Sequence, residues 1–78
     1  MEVREVKPGQ IFETLTDEGV PTGNVYKATA EGREAGAGDG RYHQIKAYKR
    51  FRQGPAWVAS CNLCRVLDPA LLEGADTF

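Results

Sequence analysis

The sequence holds few of the residues on which metal-bound and disulfide-linked small domains depend. Its 78 residues include two cysteines and one histidine. A structural zinc ion needs four ligands, and His43 is the one soft donor beyond Cys61 and Cys64. We therefore expect no metal and no cofactor.

Long hydrophobic runs are also missing. No stretch approaches the roughly 20 apolar residues that cross a bilayer. The opening residues MEVREVKPG lack the apolar centre of a secretion signal. These absences predict a cytoplasmic protein without membrane contact.

Length and composition predict one folded domain. A chain of 78 residues is too short to divide into two domains that each bury a useful core. The hydrophobic fraction of 41 % is ordinary for a folded protein and too high for a disordered one. We expect a single domain over residues 1–74 and a loose tail over residues 75–78.

Turn residues divide the chain into short segments rich in residues that favour β-strands. Lys7-Pro8-Gly9-Gln10 has proline and glycine where a type II turn needs them. Loops that contain glycine are expected at residues 17–23 and 31–40. The predicted strands are residues 10–15, 24–30, 42–53, 56–59 and 63–67.

Helix is expected only near the end of the chain. Asp68 is a suitable N-cap, Pro69 suits the first helical position, and Gly74 can end a turn of residues 70–73. The sequence therefore predicts an all-β fold. We expect a small antiparallel barrel of about five strands with one short C-terminal helical turn.

The order of these segments resembles the small SH3-like β-barrel. PGQIFETL, the loop that ends at Gly23, and the strands on either side of EGREAGAGDG follow the order of that architecture over residues 8–67. AWVASCNLCRVL is similar to the strand, 3₁₀ turn and strand with which such barrels finish. The resemblance implies a fold alone, because these barrels serve many unrelated functions.

Cys61 and Cys64 have the CxxC spacing of half a zinc site or of a redox pair. A redox CxxC usually opens a helix, which lowers the pKa of the thiol, whereas this one precedes a predicted strand. We expect Cys61 to lie in a turn and Cys64 to pack inward as a small hydrophobic residue.

Other candidate catalytic features stand alone. His43 has no accompanying nucleophile motif, and general base catalysis needs partners that orient the ring. Residues 36–40 are rich in glycine, as phosphate-binding loops are, but neither a helix pattern nor a GKS/T signature follows. We therefore expect a protein that is not an enzyme.

Acidic residues are absent from residues 41–54, which hold five basic ones. Residues 1–40 hold eight acids and four bases, and residues 55–78 hold three acids and one base. The net charge of −1 therefore conceals a basic segment on an acidic chain.

Strand alternation divides this basic segment into two faces. Ile45, Ala47 and Phe51 are expected to face the core, with His43 and Lys49 on the same side. The lysine interrupts that face either because its stem reaches outward where the strand leaves the barrel or because a bulge shifts the phase. The candidate binding residues on and beside the other face are Arg41, Tyr42, Lys46, Tyr48, Arg50 and Arg52.

This aromatic and basic strip favours two functions. Surfaces of this kind bind single-stranded nucleic acid, because bases stack on rings while Lys and Arg neutralise phosphates. In that hypothesis the glycine-rich loop over residues 32–40 closes over the ligand. The alternative is a protein-interaction module that meets an acidic partner or another copy, as a phage or mobile-element protein meets a host factor.

Two further expectations accompany these functions. Long strands also expose Lys, Arg and Tyr for solubility and to discourage edge pairing, which requires no ligand. Trp57 is either a ring beside the strip or a core anchor, and we expect it to be partly buried.

Overall fold

The computed structural model describes residues 1–71, which form a five-stranded sheet. Every pair of neighbouring strands is antiparallel, in the order β4-β3-β2-β1-β5. The prediction of an all-β fold with five antiparallel strands is therefore confirmed. The strands are β1 (Ile11–Leu15), β2 (Pro21–Ala35), β3 (Tyr42–Lys49), β4 (Pro55–Ala59) and β5 (Cys64–Leu67).

The sheet is open rather than closed into the expected barrel. β4 and β5 lie at its two ends, and no ladder joins them within residues 1–71. The N-terminal 3₁₀ turn, Val3–Glu5, contacts the connection between these two strands. Val3 N–H donates to Asn62 O at 2.9 Å, and Arg4 N–H donates to Ser60 O at 3.0 Å. The N-terminal segment therefore lies along the connection between the two edge strands.

The core lies on one face of the sheet and is small. Ile45 packs against it, and Ala47 is fully buried in it, so the predicted inner positions of these two residues are confirmed. The rings of Phe12 and Tyr26 stack with their centroids 5.4 Å apart. The buried cluster consists of Val3, Phe12, Ala28, Ala47, Val58 and Cys64.

β2 extends well beyond the predicted strand at both ends. It begins at Pro21 and ends at Ala35, so the predicted loops shorten to residues 16–20 and 36–41. The second half of β2 pairs with the first half of β3, and this pairing outweighs the weak strand preference of its glycine and alanine residues. The glycine-rich segment is therefore mostly strand.

A β-bulge joins the two halves of β2. Ala28 pairs with Ala47 and Gly32 pairs with Ile45, so three residues of β2 lie opposite one residue of β3. Thr29 Oγ1 donates to the carbonyl oxygen of that one residue at 2.8 Å. A side chain of the bulge is thus hydrogen-bonded to the main chain of β3.

β3 ends at Lys49, before the predicted end at residue 53, because the chain turns there. Arg52 N–H donates to Lys49 O at 3.2 Å, and Phe51 between them has a φ of 65°. Phe51 is 76 % exposed, so its predicted place in the core is wrong. Lys49 is the last residue of β3 and pairs with Tyr26, so it lies at the end of the apolar face.

The predicted C-terminal helical turn is present as the 3₁₀ turn Pro69–Leu71. Asp68 Oδ1 accepts a hydrogen bond from Ala70 N–H at 2.9 Å, as expected of a capping residue. The remaining residues of the predicted turn, 72–74, and the predicted tail, 75–78, lie outside the described residues.

Both cysteines lie where the sequence predicts. Cys61 is exposed in the turn between β4 and β5, and Cys64 is buried at the start of β5. Burial raises the pKa of the Cys64 thiol, because the surroundings disfavour a thiolate. The thiols are free, and Cys64 serves the core as a small apolar side chain.

Candidate functional site

One face of β2, β3 and β4 points away from the core and carries aromatic and basic side chains. In an antiparallel pair, residues directly opposite each other point to the same side of the sheet. Lys46 lies opposite Trp57, and Tyr48 lies opposite Lys27, while Ala47 between them points into the core. We call this surface the outer face: Lys27, Arg33, Gln44, Lys46, Tyr48 and Trp57.

Trp57 is half-buried on the outer face, which confirms its expected partial burial. The guanidinium carbon of Arg33 lies 4.2 Å from the centroid of the indole ring, a cation–π contact. Arg33 Nε also donates to Gln44 Oε1 at 2.9 Å, which fixes the guanidinium plane over the ring. Trp57 thus contacts Arg33 of β2, which is itself hydrogen-bonded to Gln44 of β3.

Arg33 was missed by the sequence reasoning because it falls in a segment predicted to be loop. Strand alternation could have revealed it, because Lys27 and Arg33 are an even number of residues apart and therefore share a face of a continuous strand. Extending the strand by alternation places both on the outer face. The glycines of the segment argued against that extension.

Lys46 has a partner at the bulge. Its Nζ lies 3.0 Å from Glu31 Oε2, and its side chain is half-buried. The hydrogen bond to Glu31 and the charge of that carboxylate raise the pKa of Lys46 above its ordinary value. The positive charge of Lys46 is therefore balanced locally, and a ligand phosphate has to compete with Glu31 for it.

The predicted binding residues fall into two groups along β3. Lys46 and Tyr48 are half-buried on the outer face, and Arg50 and Arg52 follow them in the turn after β3. Tyr42 begins the strand, so it lies roughly 20 Å from Tyr48 along an extended chain. Arg41 precedes Tyr42, and both are exposed. The strip is therefore not one cluster, since Arg41 and Tyr42 lie at the far end.

The turn formed by residues 49–52 begins at the last residue of β3 and is the most basic part of the described chain, and we call it the basic turn. It directly follows Tyr48, which pairs with Pro55 at the start of β4. The guanidinium carbon of Arg50 lies 4.7 Å from the centroid of the Phe51 ring. The basic turn thus directly follows the outer-face residue Tyr48 along the chain and holds an exposed ring.

A second candidate site is a cleft at the opposite end of β3. It has a volume of about 320 Å³. His43 Nδ1 hydrogen-bonds to Ser60 Oγ there, and the serine is buried. No carboxylate of residues 1–71 hydrogen-bonds to the His43 ring, so the pair lacks the third group that orients a catalytic histidine. The cleft is lined by Arg4, Tyr42, His43, Ser60 and Cys61.

Two features of the described chain bear on metals and membranes. No group of three or more His, Cys, Asp or Glu side chains in residues 1–71 is placed to hold a metal ion. Within the same residues, no helix is long and apolar enough to cross a membrane.

Comparisons with known proteins do not identify a family. No family model, no curated protein and no solved structure matches the chain. The function is therefore argued from the chemistry of the outer face and the basic turn.

Proposed function

We propose that the protein is a small, non-enzymatic module that binds nucleic acid through the outer face and the basic turn. One observation carries the proposal. Two aromatic rings and three cations share one face of the sheet, which continues into a turn with three further cations. Rings and cations in this arrangement suit bases and phosphates together.

Each part of the outer face has a role in this chemistry. Tyr48 and Trp57 offer rings on which bases stack, at roughly 1–3 kcal/mol per base. Lys27 is exposed and free to meet a phosphate, whereas Lys46 becomes available when its pair with Glu31 opens. Arg33, which already lies over the Trp57 ring, either stacks on a base itself or moves aside so that a base can stack on the ring.

Binding of this kind is expected to be weak and sensitive to salt. The chain has a net charge of −1, so the basic surface acts against the field of an acidic body. Neutralising about four phosphates of a single strand predicts a slope of roughly −3 for log K against log salt. Titrations therefore need low salt and micromolar protein.

The tryptophan provides the test. Trp57 is the one tryptophan in the sequence, so its fluorescence reports on the outer face alone. We expect a twelve-nucleotide single strand to quench this fluorescence. In Lys27→Ala, the slope of log K against log salt should become shallower by about 1. Lys7→Ala, an exposed lysine in the turn before β1, is the control and leaves the slope unchanged.

The proposal is overturned if neither tryptophan fluorescence nor the anisotropy of a labelled oligonucleotide changes at low salt. Both single strands and duplexes are included in that titration, because phosphate contacts alone would retain a duplex. Equal losses in Lys27→Ala and Lys7→Ala would show that net charge, and not the outer face, is responsible.

We also propose that the fold is SH3-like. The strand order β5-β1-β2-β3-β4 supports this, as does the single tight turn between β4 and β5, in which Asn62 N–H donates to Ala59 O at 3.1 Å. An experimental structure in which β5 pairs with a strand other than β1 would contradict it.

A protein-interaction module is the second candidate, and the edge of β4 favours it. β4 pairs with β3 alone within residues 1–71, so its outer backbone groups can accept a strand from a partner or from another copy. Sedimentation velocity over a range of concentrations tests this. Growth in size that nuclease treatment does not alter supports it, and a strictly monomeric profile with no captured partner contradicts it.

A further inference from the structure

The basic turn contains the one residue of the described chain that has a positive φ and is not glycine. Phe51 has a φ of 65°. It occupies the third position of the turn closed by Arg52 N–H and Lys49 O, as the third residue of a type II turn does. That position favours glycine or asparagine, because a Cβ is strained there. A large aromatic side chain is therefore the opposite of what the turn requires.

Packing does not explain the phenylalanine either. The residue is 76 % exposed, so its ring removes little apolar surface from water. The ring contacts Arg50, whose guanidinium carbon lies 4.7 Å from the centroid. Strained residues that are not compensated by burial are found mainly at functional sites.

The surroundings of Phe51 are basic and aromatic. No acid occurs in residues 41–54, and the turn carries Lys49, Arg50 and Arg52. One side of the ring faces the Arg50 guanidinium, which leaves the other side open to a flat group. A planar group attached to phosphates satisfies both the ring and the cations.

We infer that Phe51 is a stacking platform for an unpaired base, so that the ligand of the module is single-stranded nucleic acid. The inference rests on the proposed function and adds the class of ligand. The base lies on the open side of the ring, and Arg52 and Lys49 neutralise the phosphates next to it. Bases inside a duplex already have both faces covered by their neighbours, so only an unstacked base can occupy the platform.

The test compares variants that separate strain, apolar bulk and the aromatic ring. Phe51→Leu keeps an apolar side chain without a π-system, Phe51→Gly also relieves the strain, and Phe51→Trp keeps a ring. Each is titrated with a labelled single strand of twelve nucleotides and with a duplex of the same sequence. We expect the leucine and glycine variants to bind the single strand about 5- to 100-fold more weakly, and the tryptophan variant to bind as well as wild type. Duplex affinity stays within about twofold in all of them.

The outcomes separate this inference from the proposed function. Wild-type protein that binds no oligonucleotide overturns both. Wild-type binding that Phe51→Leu retains in full overturns the platform and leaves the outer face as the site. Equal losses for single strand and duplex overturn the preference for unpaired bases. The glycine variant is expected to melt no lower than wild type, so its loss of binding cannot be attributed to unfolding.

Discussion

At the scale of single residues, the backbone conformation of Phe51 is expected to lower the stability of the fold. A left-handed backbone costs an L-residue roughly 1–2 kcal/mol. Phe51 regains little of this cost by burial, because its side chain is largely exposed. Glycine removes the strain, although its greater freedom in the unfolded chain offsets part of the gain. We therefore expect Phe51→Gly to raise the free energy of unfolding by about 0.5–1 kcal/mol, measured by urea denaturation.

Gly54 is the control for this prediction because it lies in the same loop with a φ of 81°. Alanine at position 54 introduces the strain that Phe51→Gly removes, so Gly54→Ala should lower the free energy of unfolding by about 1 kcal/mol. A destabilised Phe51→Gly protein would mean that the contact between Phe51 and Arg50 stabilises the fold and that the strain argument is wrong.

Single residues also show how far the sequence could predict. Alternation placed Ile45 and Ala47 inward correctly, because both lie within β3. Alternation failed at Phe51, because it holds only while the strand continues. No residue type in residues 49–52 predicts the turn that ends the strand. Cys64 was predicted as a core residue from its place in an apolar segment, and it is one.

At the scale of elements, the pairing of β2 with β3 depends on a glycine. A Cβ at Gly32 would lie 2.5 Å from His43 Nε2 and 3.3 Å from Gln44 O. The imidazole can swing aside, but it then loses its hydrogen bond to Ser60. We expect Gly32→Ala to lower the free energy of unfolding by about 1 kcal/mol, with a changed chemical shift for the His43 ring.

Gly40 provides the matched control for that substitution. It lies in the same hairpin, and a Cβ there would meet no atom within 4 Å. Gly40→Ala is therefore expected to change stability by less than about 0.5 kcal/mol. Equal effects of the two substitutions would show that the contact with His43 has no part in the result.

The ion pair between Lys46 and Glu31 at the bulge in β2 predicts how stability depends on pH. Glu31 raises the pKa of Lys46, first by a hydrogen bond and then by its charge. Because the folded pKa lies above the ordinary lysine value of 10.5, the stabilisation by the pair is complete below that pH. It is lost as pH rises through the raised pKa. Glu31→Gln should remove this alkaline dependence, measured as the difference in Tm from wild type between pH 8 and pH 11.

The same substitution releases Lys46 toward a ligand. We expect Glu31→Gln to bind a single strand about two- to fivefold more tightly than wild type at low salt. Glu34→Gln is the control, because Glu34 is an exposed acid on the same strand and its loss changes the net charge equally. If both variants gain equally, net charge explains the change and the pair at the bulge does not.

The elements were predicted well where turn residues lie between strands and poorly where glycine and proline lie inside a strand, as in β2. The turn at Pro8-Gly9, β1 and the short strands after Pro55 agree with the sequence. The length of β2 could not be predicted from its own residues. Its second half is stabilised by a tertiary interaction, the pairing of residues 32–35 with residues 42–45. The glycine content of this segment predicted a loop, but its pairing with β3 makes it a strand.

At the scale of the whole molecule, stability depends on the N-terminal segment. Val3 is fully buried, and its main chain bonds to the turn between the two edge strands. A chain of 78 residues has a total stability of roughly 4–12 kcal/mol. Val3→Ala should therefore remove a large part of it, about 2 kcal/mol, by deleting two buried methyl groups.

Val20→Ala is the comparison for the core variant, since Val20 is 56 % exposed and should cost less than about 0.5 kcal/mol. A loss at Val3 no larger than that at Val20 would mean that burial of the N-terminal segment does not stabilise the fold. Both values come from urea denaturation of the complete chain.

The candidate site could be predicted only in part, because the whole sheet, and not a single strand, brings its residues together. Lys46 and Tyr48 follow from alternation along one strand. Arg33 and Trp57 join them because β2, β3 and β4 are neighbours in one sheet, which no pattern within a single strand reveals. The exposed ring of Phe51 depends on the turn geometry and was assigned to the core instead.

We propose that single-stranded nucleic acid binds the outer face and the basic turn. The most direct test is a map of amide and indole chemical-shift changes as a short single-stranded oligonucleotide is added to isotope-labelled protein. The account predicts changes at Trp57, Tyr48, Lys27 and the basic turn, with His43 and Ser60 in the opposite cleft unaffected. Changes confined to that cleft, or no changes at saturating oligonucleotide and low salt, would contradict it.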